Sequence, residues 1–587
     1  MTLPGGSAST RSLPPRPIPE WTLRDAPEPD VVDHLQEELG LPPRFCELLA
    51  VRGLTDSDEA RQHLRPLPDR LHDACRLRDA EALATRLAQA VKTGDVVLVH
   101  GDYDVDGITA TALVVGWIRA LGGKAVPFIP HRLRDGYDLG SAGLEAAVAA
   151  GARVLFTADC GTTATDAVAR ARAAGLEVLV TDHHTPGPTL PDAACVVNPQ
   201  RPDCSYPEPR LCGAAVAWKV CQLLADQVGA SRRELEAQLD LVALATIADL
   251  VPLEGENRVL AHLGLRVMAA APRPGLAALM DVADVDPEGL DAGAVGFRLA
   301  PRLNAAGRLG EADAALDLLL TRDPRRAHRL ARHLDELNQR RQEEDERILQ
   351  EAEAQLARDF DPQRDHGVVL AEEGWHPGVV GIAASRIVER IHRPAVLVAL
   401  DGDQGRGSAR SVAGVDLYRA VSRAGEHLER YGGHRQAAGM DLRRESVEPF
   451  RQAFNEAVRQ ETGGDPPKPK LRADLELPLK EAEGELFRLL RYLGPFGIAN
   501  PRPVFVARGV RPAGPARAVG RGHLKVELTD GEVRLDAIGF DLAQRIPPER
   551  INGGSLDVAF QLAENRYRGE CRLQARLLDL RPAGHAG

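Results

Sequence analysis

The chain has 587 residues, of which 44% are hydrophobic and 27% charged, and a formal net charge of −12. That length exceeds what one hydrophobic core fills and predicts about three or four domains, with the composition of an ordinary globular protein. No apolar run approaches the roughly 18 residues of a membrane helix, and the acidic balance argues weakly against a polyanionic partner.

The N-terminal stretch "MTLPGGSASTRSLPPRPIPEW" is polar and proline-rich and lacks an apolar core. It reads as a flexible tail and not as a signal peptide. Residues 22 to about 92 read as short helices, with "EARQHLRPL" and "RDAEALATRLAQAV" at helical spacing. The eight cysteines are scattered without a C-x-x-C pair. That spacing predicts reduced thiols in a cytoplasmic setting over disulfides or a zinc site. Only seven of the 73 basic residues are lysine, a bias with a bland source in a GC-rich genome.

From Asp95 the pattern alternates. "VVLVH", "KAVPFIP", "RVLFTADCG" and "LEVLVTDHH" read as strands. Between them "TATALVVGWIRALG", "GSAGLEAAVAAGA" and "TDAVARARAAG" read as helices. This order predicts an α/β fold with a parallel sheet covered on both faces. Ligands of such sheets sit beyond the carboxyl ends of the strands, and here three strands end in charge: "LVHGDYDVD", "FTADCG" and "VLVTDHH". Parallel neighbours would bring His100, Asp104, Asp106, Asp159, Asp182, His183 and His184 to one rim. Clustered carboxylates repel one another unless cations lie among them. Oxygen-rich Asp/His ligation without thiolates suits Mn²⁺ or Mg²⁺. The alternative is that each strand-end aspartate only caps the helix that follows; three such ends in one sheet favour the metal site. Cys160 reads as a packing residue beside it.

Further on, the apolar helix "DLVALATIADLVPL" is interrupted by Asp249, which is either a solvated helix end or a metal ligand. "PRLNAAGRLG" reads as a polar turn carrying Arg302, Asn304 and Arg308. The charged stretch 323–361 reads as a solvated connecting helix. A second α/β unit follows over 362–465, with glycine-rich stretches "HPGVVG", "GRGSARS" and "YGGHRQAAG" that let backbone amides approach an anion. Over 466–587, short alternating segments predict a small antiparallel barrel. From Pro467 onward there are 20 Lys/Arg against 15 Asp/Glu, a net of +5, which leaves the rest of the chain near −17. Of its aromatics, Phe505, Phe540, Phe560 and Tyr567 read mostly as core.

"GDYDVDG", "ADCG", "TDHH" and "TIADLVPL", followed by "PRLNAAGRLG", "GWHPGVVGIAASRI", "GRGSARS" and "GGHRQAAGM", resemble the DHH phosphoesterases in order and spacing. The similarity runs from about residue 50 onward. The fold it implies is a DHH catalytic domain over 50–322, including a helical N-terminal part, then the connecting helix, a DHHA1 domain and an OB-fold. Residues 1–49 form the tail and helical start.

The resemblance implies two divalent ions, Mn²⁺ or Mg²⁺, held by Asp104, Asp106, Asp159, His183 and Asp249, with Asp159 bridging them. His100, four residues before Asp104, repeats the H-x-x-x-D-x-D spacing of related pyrophosphatases. Asp102 and Asp182 would orient ligands, and His184 would contact the scissile phosphate. Arg132, Tyr137, Arg302, Asn304 and Arg308 would touch the nucleic acid. His376, Ser408, Arg410 and His434 would hold a 5′ end. Asp138 stands where the family commonly has glycine.

The implied activity is 5′→3′ degradation of single-stranded DNA to 5′-mononucleotides in repair and recombination. The implied enzyme is a monomer, off the membrane, working with a single-strand-binding protein and a RecQ-type helicase. The rivals are a DHH phosphodiesterase for short RNA or cyclic dinucleotides, usually a shorter chain without the barrel, and a non-catalytic DNA-binding scaffold, whose relatives lose the ligands kept here. The DHHA1-like motifs disfavour a pyrophosphatase.

Overall fold

The strand Val96–His100 lies in a five-stranded, all-parallel sheet with the spatial order 124–128, 96–100, 154–158, 177–181, 195–197. The computed structural model that carries it describes residues 16–136, 138–270, 273–520, 522–551, 553–567 and 570–584. Val97 stands opposite Val154, and Leu155 opposite Val178. Every residue of Val154–Ala158 is buried. Strands covered on both faces have no reason to alternate polar and apolar residues, hence the unbroken apolar runs in the sequence.

The order of the strands creates the site. The chain begins with Val96–His100 and adds Lys124–Phe128 on one side. It then crosses back to add Val154–Ala158 on the other side. Where the direction of growth reverses, the loops leaving neighbouring strands diverge and a crevice opens beyond their carboxyl ends. The segments after His100 and after Ala158 are those loops.

Helices Val105–Ala120, Gly213–Val228 and Leu239–Ala248 share the core of this sheet, with Trp117 and Trp218 buried among them. One ion pair lies inside it. Lys219 Nζ is 2.5 Å from Glu256 Oε1 with both side chains fully buried. Nζ also donates to the carbonyl of His72, and Glu256 accepts from the Tyr206 hydroxyl and the His72 amide. A buried pair is tolerable when its remaining valences are filled in this way.

The chain divides into two compact units: 58–341 with 491–502, and 1–57 with 342–490 and 503–587. The helix Pro324–Asp359 has 36 residues and contributes to both. In the second unit a mixed sheet runs in the order 430–433, 437–443, 404–410, 395–401, 368–373; only 368–373 and 395–401 pair in parallel. A further sheet closes on itself through strands 505–512, 556–567, 570–582, 534–539 and 523–529, because Arg511 pairs with Thr529 and Pro512 with Leu528. This is the five-stranded ring of an OB-fold. Phe505 and Phe560 fill its core.

Three features differ from the sequence reading. The end of the supposed tail is a strand, Glu20–Leu23, paired in parallel with Lys470–Ala473. Trp21 Nε1 donates to Asp579 at 2.7 Å, and the Arg581 guanidinium lies 4.4 Å above the indole. These partners are more than 400 residues away in sequence and leave no local signal. Second, the "polar turn" at 301–308 is part of the helix Ala300–Leu309, which follows a π-helical turn at Val295–Leu299. Proline is harmless in a first turn, Leu303, Ala305 and Ala306 give the segment a buried face, and Gly310 ends it at φ 81°. Third, residues 491–502, within the stretch 466–587, group with the unit that carries the five-stranded parallel sheet.

Candidate active site

The crevice is filled by acidic side chains whose positions the backbone fixes. Asp104 caps the helix Val105–Ala120, its Oδ1 accepting from the amides of Asp106 (3.0 Å) and Gly107 (3.2 Å). Asp106 points the other way, onto the start of Gly213–Val228, and accepts from the Gly213 amide at 2.6 Å and the Ala214 amide at 2.7 Å. Each carboxylate therefore lies at the positive end of a helix, which offsets part of its charge. Asp159 follows its strand with φ 67°, a left-handed conformation that costs a non-glycine residue energy and persists where the surroundings enforce it. Its amide is held by the Thr181 carbonyl at 3.0 Å.

His183 gathers the group. Its Nε2 lies 3.1 Å from Asp159, 3.6 Å from Asp106 and 3.7 Å from Asp249. Beside it, His184 Nδ1 is 2.8 Å from Asp182 Oδ1, and the two imidazole centroids are 4.6 Å apart. Asp182 also accepts from the amides of Thr162, His183 and His184, which ties down the loop that carries both histidines.

Three sets of potential ligand atoms each converge within 4.8 Å: Asp159, His183 and His184; Asp106, His183 and Asp249; Asp102, Asp104 and Asp159. They overlap at Asp159 and His183, as a two-ion site requires. Oδ1 of Asp159 and Oδ1 of Asp102 are buried without a hydrogen-bond partner. A buried carboxylate oxygen left so is costly, and a divalent cation is the group that would offset that cost. Asp102, read from sequence as an orienting residue, thus directs an oxygen into one of the sets.

The electrostatics agree. Burial, reinforced by Asp106 and Asp104, pushes Asp159 well above the carboxylate range, and burial with Asp104 does the same to Asp102. Burial, then Asp106 and Asp104, raises Asp249 to about 9. Asp106 is raised by burial, against the pull of His183. His184 behaves oppositely. Burial disfavours its charge, but the hydrogen bond and charge of Asp182 lift it to about 9. Burial also opposes the charge of Asp182, yet His184 holds it well below its usual range. Desolvation lowers His183, which keeps it neutral as a ligand must be.

His100 is not brought into these sets. Its Nδ1 lies 3.6 Å from Cys160 Sγ, and its ring packs on Phe128 with centroids 5.2 Å apart. A β-carbon at Gly143 would stand 2.7 Å from its Nε2, so the imidazole is wedged under the helix Ser141–Ala149. Burial depresses its pKa to about 4.

Asn304 reaches the site through its Oδ1, which accepts from the Val105 amide at 3.2 Å. Gly307 allows its helix to meet the Tyr103 carbonyl, where a β-carbon would clash. Arg132 lies 4.7 Å over the Tyr103 ring. Burial and then Asp102 raise the Tyr103 hydroxyl to about 12, against the pull of Arg132 and Arg308. Arg302 is instead paired with Asp335 at 2.9 Å. Tyr137 lies outside the described residues. Asp138 adopts φ 71°, so the glycine-like position is met by an aspartate that accepts from Thr163 at 2.9 Å.

In the second unit, Arg410 Nη1 donates to Ser408 Oγ at 3.0 Å. A β-carbon at Gly381 would lie 2.8 Å from Ser408 Oγ and 3.0 Å from Arg410 Nη2, so both side chains cross the first turn of the helix Val380–Ile391. His376 precedes that turn, its carbonyl accepting from Val379 and Val380. His434 is exposed between strands 430–433 and 437–443.

Sequence reasoning missed two supports. The Gly213–Ala214 amides that hold Asp106 were legible only as a glycine opening an apolar helix. Asn198 is fully buried and donates to Thr162 Oγ1 and the His184 carbonyl; it follows an unread fifth strand, Cys195–Val197.

A doubly covered parallel sheet with overlapping Asp/His sets at its switch point defines a metal-dependent phosphoesterase of the DHH class. Family comparison agrees: the N-terminal domain of the DHH family matches residues 96–246, the DHHA1 domain 365–460 and the RecJ OB domain 473–579. The single-stranded-DNA-specific exonuclease RecJ of Escherichia coli is 37% identical over 557 residues, covering 91% of this chain and 95% of that protein. RecJ of Thermus thermophilus is 39% identical over 506 residues, covering 86% and 71%. The crystal structure of RecJ in complex with Mn²⁺ from Thermus thermophilus superposes with a TM-score of 0.79 at 33% identity, covering 96% of this chain and 79% of that one. The chain belongs to the RecJ family.

Proposed function

We infer that this chain is a single-stranded-DNA-specific exonuclease, dependent on divalent metal, that removes 5′-mononucleotides in the 5′→3′ direction during DNA repair and recombination. The observation that carries the reading is a pair of adjoining ligand sets, Asp106/His183/Asp249 and Asp102/Asp104/Asp159, joined where His183 Nε2 stands 3.1 Å from Asp159 Oδ1, with Oδ1 of Asp102 and Oδ1 of Asp159 buried and accepting no hydrogen bond.

When bound, Mn²⁺ or Mg²⁺ supplies the charge that a phosphodiester's oxygens require and the acidity that makes water a nucleophile. The protein's own groups do the rest. Asp104, Asp106, Asp159, His183 and Asp249, with Asp102, would hold the ions. His184 is the more open of the two histidines, its side chain 43% exposed. It stays protonated near neutrality through Asp182 and donates a charge-assisted hydrogen bond to the scissile phosphate. Asn304 fixes the start of the helix that Asp104 caps, and Arg132 and Arg308 draw the backbone of the strand to the crevice.

Arg410, Ser408, His376 and His434 hold the terminal 5′-phosphate and set the polarity; amides freed by glycine and a guanidinium fork suit that group. A monomer, recruitment by a single-strand-binding protein and a RecQ-type helicase, and a cytoplasmic setting for the seven described free cysteines complete the proposal. Among the described residues no helix is long and apolar enough to cross a membrane.

The test is product analysis. Single strands labelled at the 5′ or the 3′ end are incubated with Mn²⁺. Release of 5′-labelled mononucleotide first is expected. Internal fragments, or early loss of the 3′ label, would overturn the assignment.

A further inference from the structure

Residues Arg491–Arg502, "RYLGPFGIANPR", interrupt the sequence of the barrel but pack with the catalytic unit. Two buried side chains shape them. Arg258, 2% exposed, donates to the carbonyls of Leu493 (2.8 Å), Tyr492 (3.0 Å) and Gly494 (2.7 Å), and through Nε to that of His63 (2.9 Å). Asn500, 4% exposed, donates to the carbonyls of Leu493 (2.8 Å) and Pro495 (2.9 Å), while its own carbonyl accepts from the Gly497 amide at 2.9 Å. Arg502 pairs with Asp291 at 2.6 Å and lies 4.9 Å over Phe496. Buried donors satisfied by several main-chain carbonyls fix a loop far more firmly than surface contacts do.

The loop so fixed meets the turn that follows Asp249. The Ile498 carbonyl accepts from the Leu253 amide at 2.9 Å. A β-carbon at Gly497 would lie 2.7 Å from Leu253 Cδ1, and Leu253 is buried. Asp249 needs such a support. It ends the helix Leu239–Ala248, where the unpaired carbonyls repel a carboxylate. Its neighbour Leu250 has φ 60° and is 66% exposed, so that residue's packing holds little.

We propose that Arg491–Arg502 is a positioning element of the active centre. It braces the turn 250–254 and thereby aims Asp249 at the ion shared with Asp106 and His183. Arg258, Gly497 and Asn500 are positioning residues, and the catalytic unit is incomplete without a segment that the sequence places inside the barrel. This rests on the reading of Asp249 as a metal ligand.

The test titrates Mn²⁺ into the metal-free full chain by calorimetry. Wild type should bind two ions. Asn500→Ala should weaken one of them at least tenfold and leave the other within threefold, with cleavage lost at limiting Mn²⁺ and recovered in excess. Gly497→Ala, which keeps every hydrogen bond but crowds Leu253, should act on the same ion and carries the test if Asn500→Ala does not fold. Two ions bound at wild-type affinity by the folded variants, or an equal loss of both, would overturn the brace. Asp249→Asn is the control: if it leaves both ions unchanged, the ligand reading fails instead.

Discussion

A β-carbon added to Gly213 would stand 2.7 Å from Oδ1 of Asp159 and 2.9 Å from its Cα, while the amide of the same glycine holds Oδ2 of Asp106 at 2.6 Å. One residue without a side chain thus sets the spacing of a carboxylate in the first turn of the helix Val105–Ala120 and one that follows the strand Val154–Ala158. Gly213→Ala is permitted by helix geometry, so its effect isolates crowding. Displacement of a reacting constellation by about 1 Å costs on the order of 10²-fold in rate. We expect that loss in single-strand cleavage together with a lower unfolding temperature, because the added carbon meets the Asp159 main chain in a buried site and overpacking there costs about 1–3 kcal/mol. A rate within a fewfold of wild type would show that Asp159 has room to move.

Asp159→Ala should abolish cleavage and leave the fold intact. The substitution removes the carboxylate that belongs to two of the ligand sets. It also removes a buried carboxylate held against its neighbours, so the metal-free variant should melt no lower than wild type. Cleavage within about tenfold of wild type at saturating Mn²⁺, roughly 1.4 kcal/mol of barrier, would be incompatible with the two-ion assignment.

The metal-free protein should lose stability as pH rises from about 4 to 9, through Asp249 over the whole range and through His184 as well above about 6.5. Asp249 and His184 are both raised to about 9 in the folded chain. A group whose folded pKa exceeds its unfolded one binds the proton more tightly when folded, so its contribution is present at low pH and lost on passing through the folded value. Unfolding temperature is measured with chelator across this window. Asp249→Asn should flatten the slope and Mn²⁺ should suppress it. A slope of opposite sign in wild type would refute the assignment.

Arg410→Ala should reduce activity on 5′-phosphorylated strands by the worth of a charge-assisted bond, roughly 1.5–3 kcal/mol, and reduce it less on strands with a 5′-hydroxyl. Arg410 and Ser408 cross the first turn of a helix, where an anion is welcome. The comparison is of both substrates in both proteins. Equal losses would place end recognition elsewhere.

Removing residues 467–587 would not isolate DNA binding by the barrel, because it also removes 491–502 from the catalytic unit. Point variants do so cleanly. Phe540 is 50% exposed, with the Arg576 guanidinium 5.2 Å over its ring and His523 5.1 Å away. It is half-exposed and not core. Phe540→Ala should weaken binding of long single strands by about 1–3 kcal/mol. Arg576→Ala should flatten the log–log salt dependence by somewhat under one unit. Unchanged affinity and slope would show that this face does not touch the strand.

The sequence alone determined four of the five strands of the parallel sheet, the helices between them, and the residue types at the strand ends, because apolar runs and period-3.6 stretches are local signals and "GDYDVDG", "ADCG" and "TDHH" sit where strands stop. It could not decide which of those residues converge. His100 and Asp104 lie four residues apart, yet the helix Ser141–Ala149 seals one away while the other lines the crevice. Asp102 and Asp182 are equally acidic, and only backbone direction leaves one oxygen unpartnered and gives the other carboxylate four donors. The helix at 300–309, the strand at Trp21 and the segment 491–502 were hidden for one reason. Each takes its place from partners distant in sequence, and a buried arginine gathering three carbonyls from more than 230 residues away leaves no period, cap or motif to read.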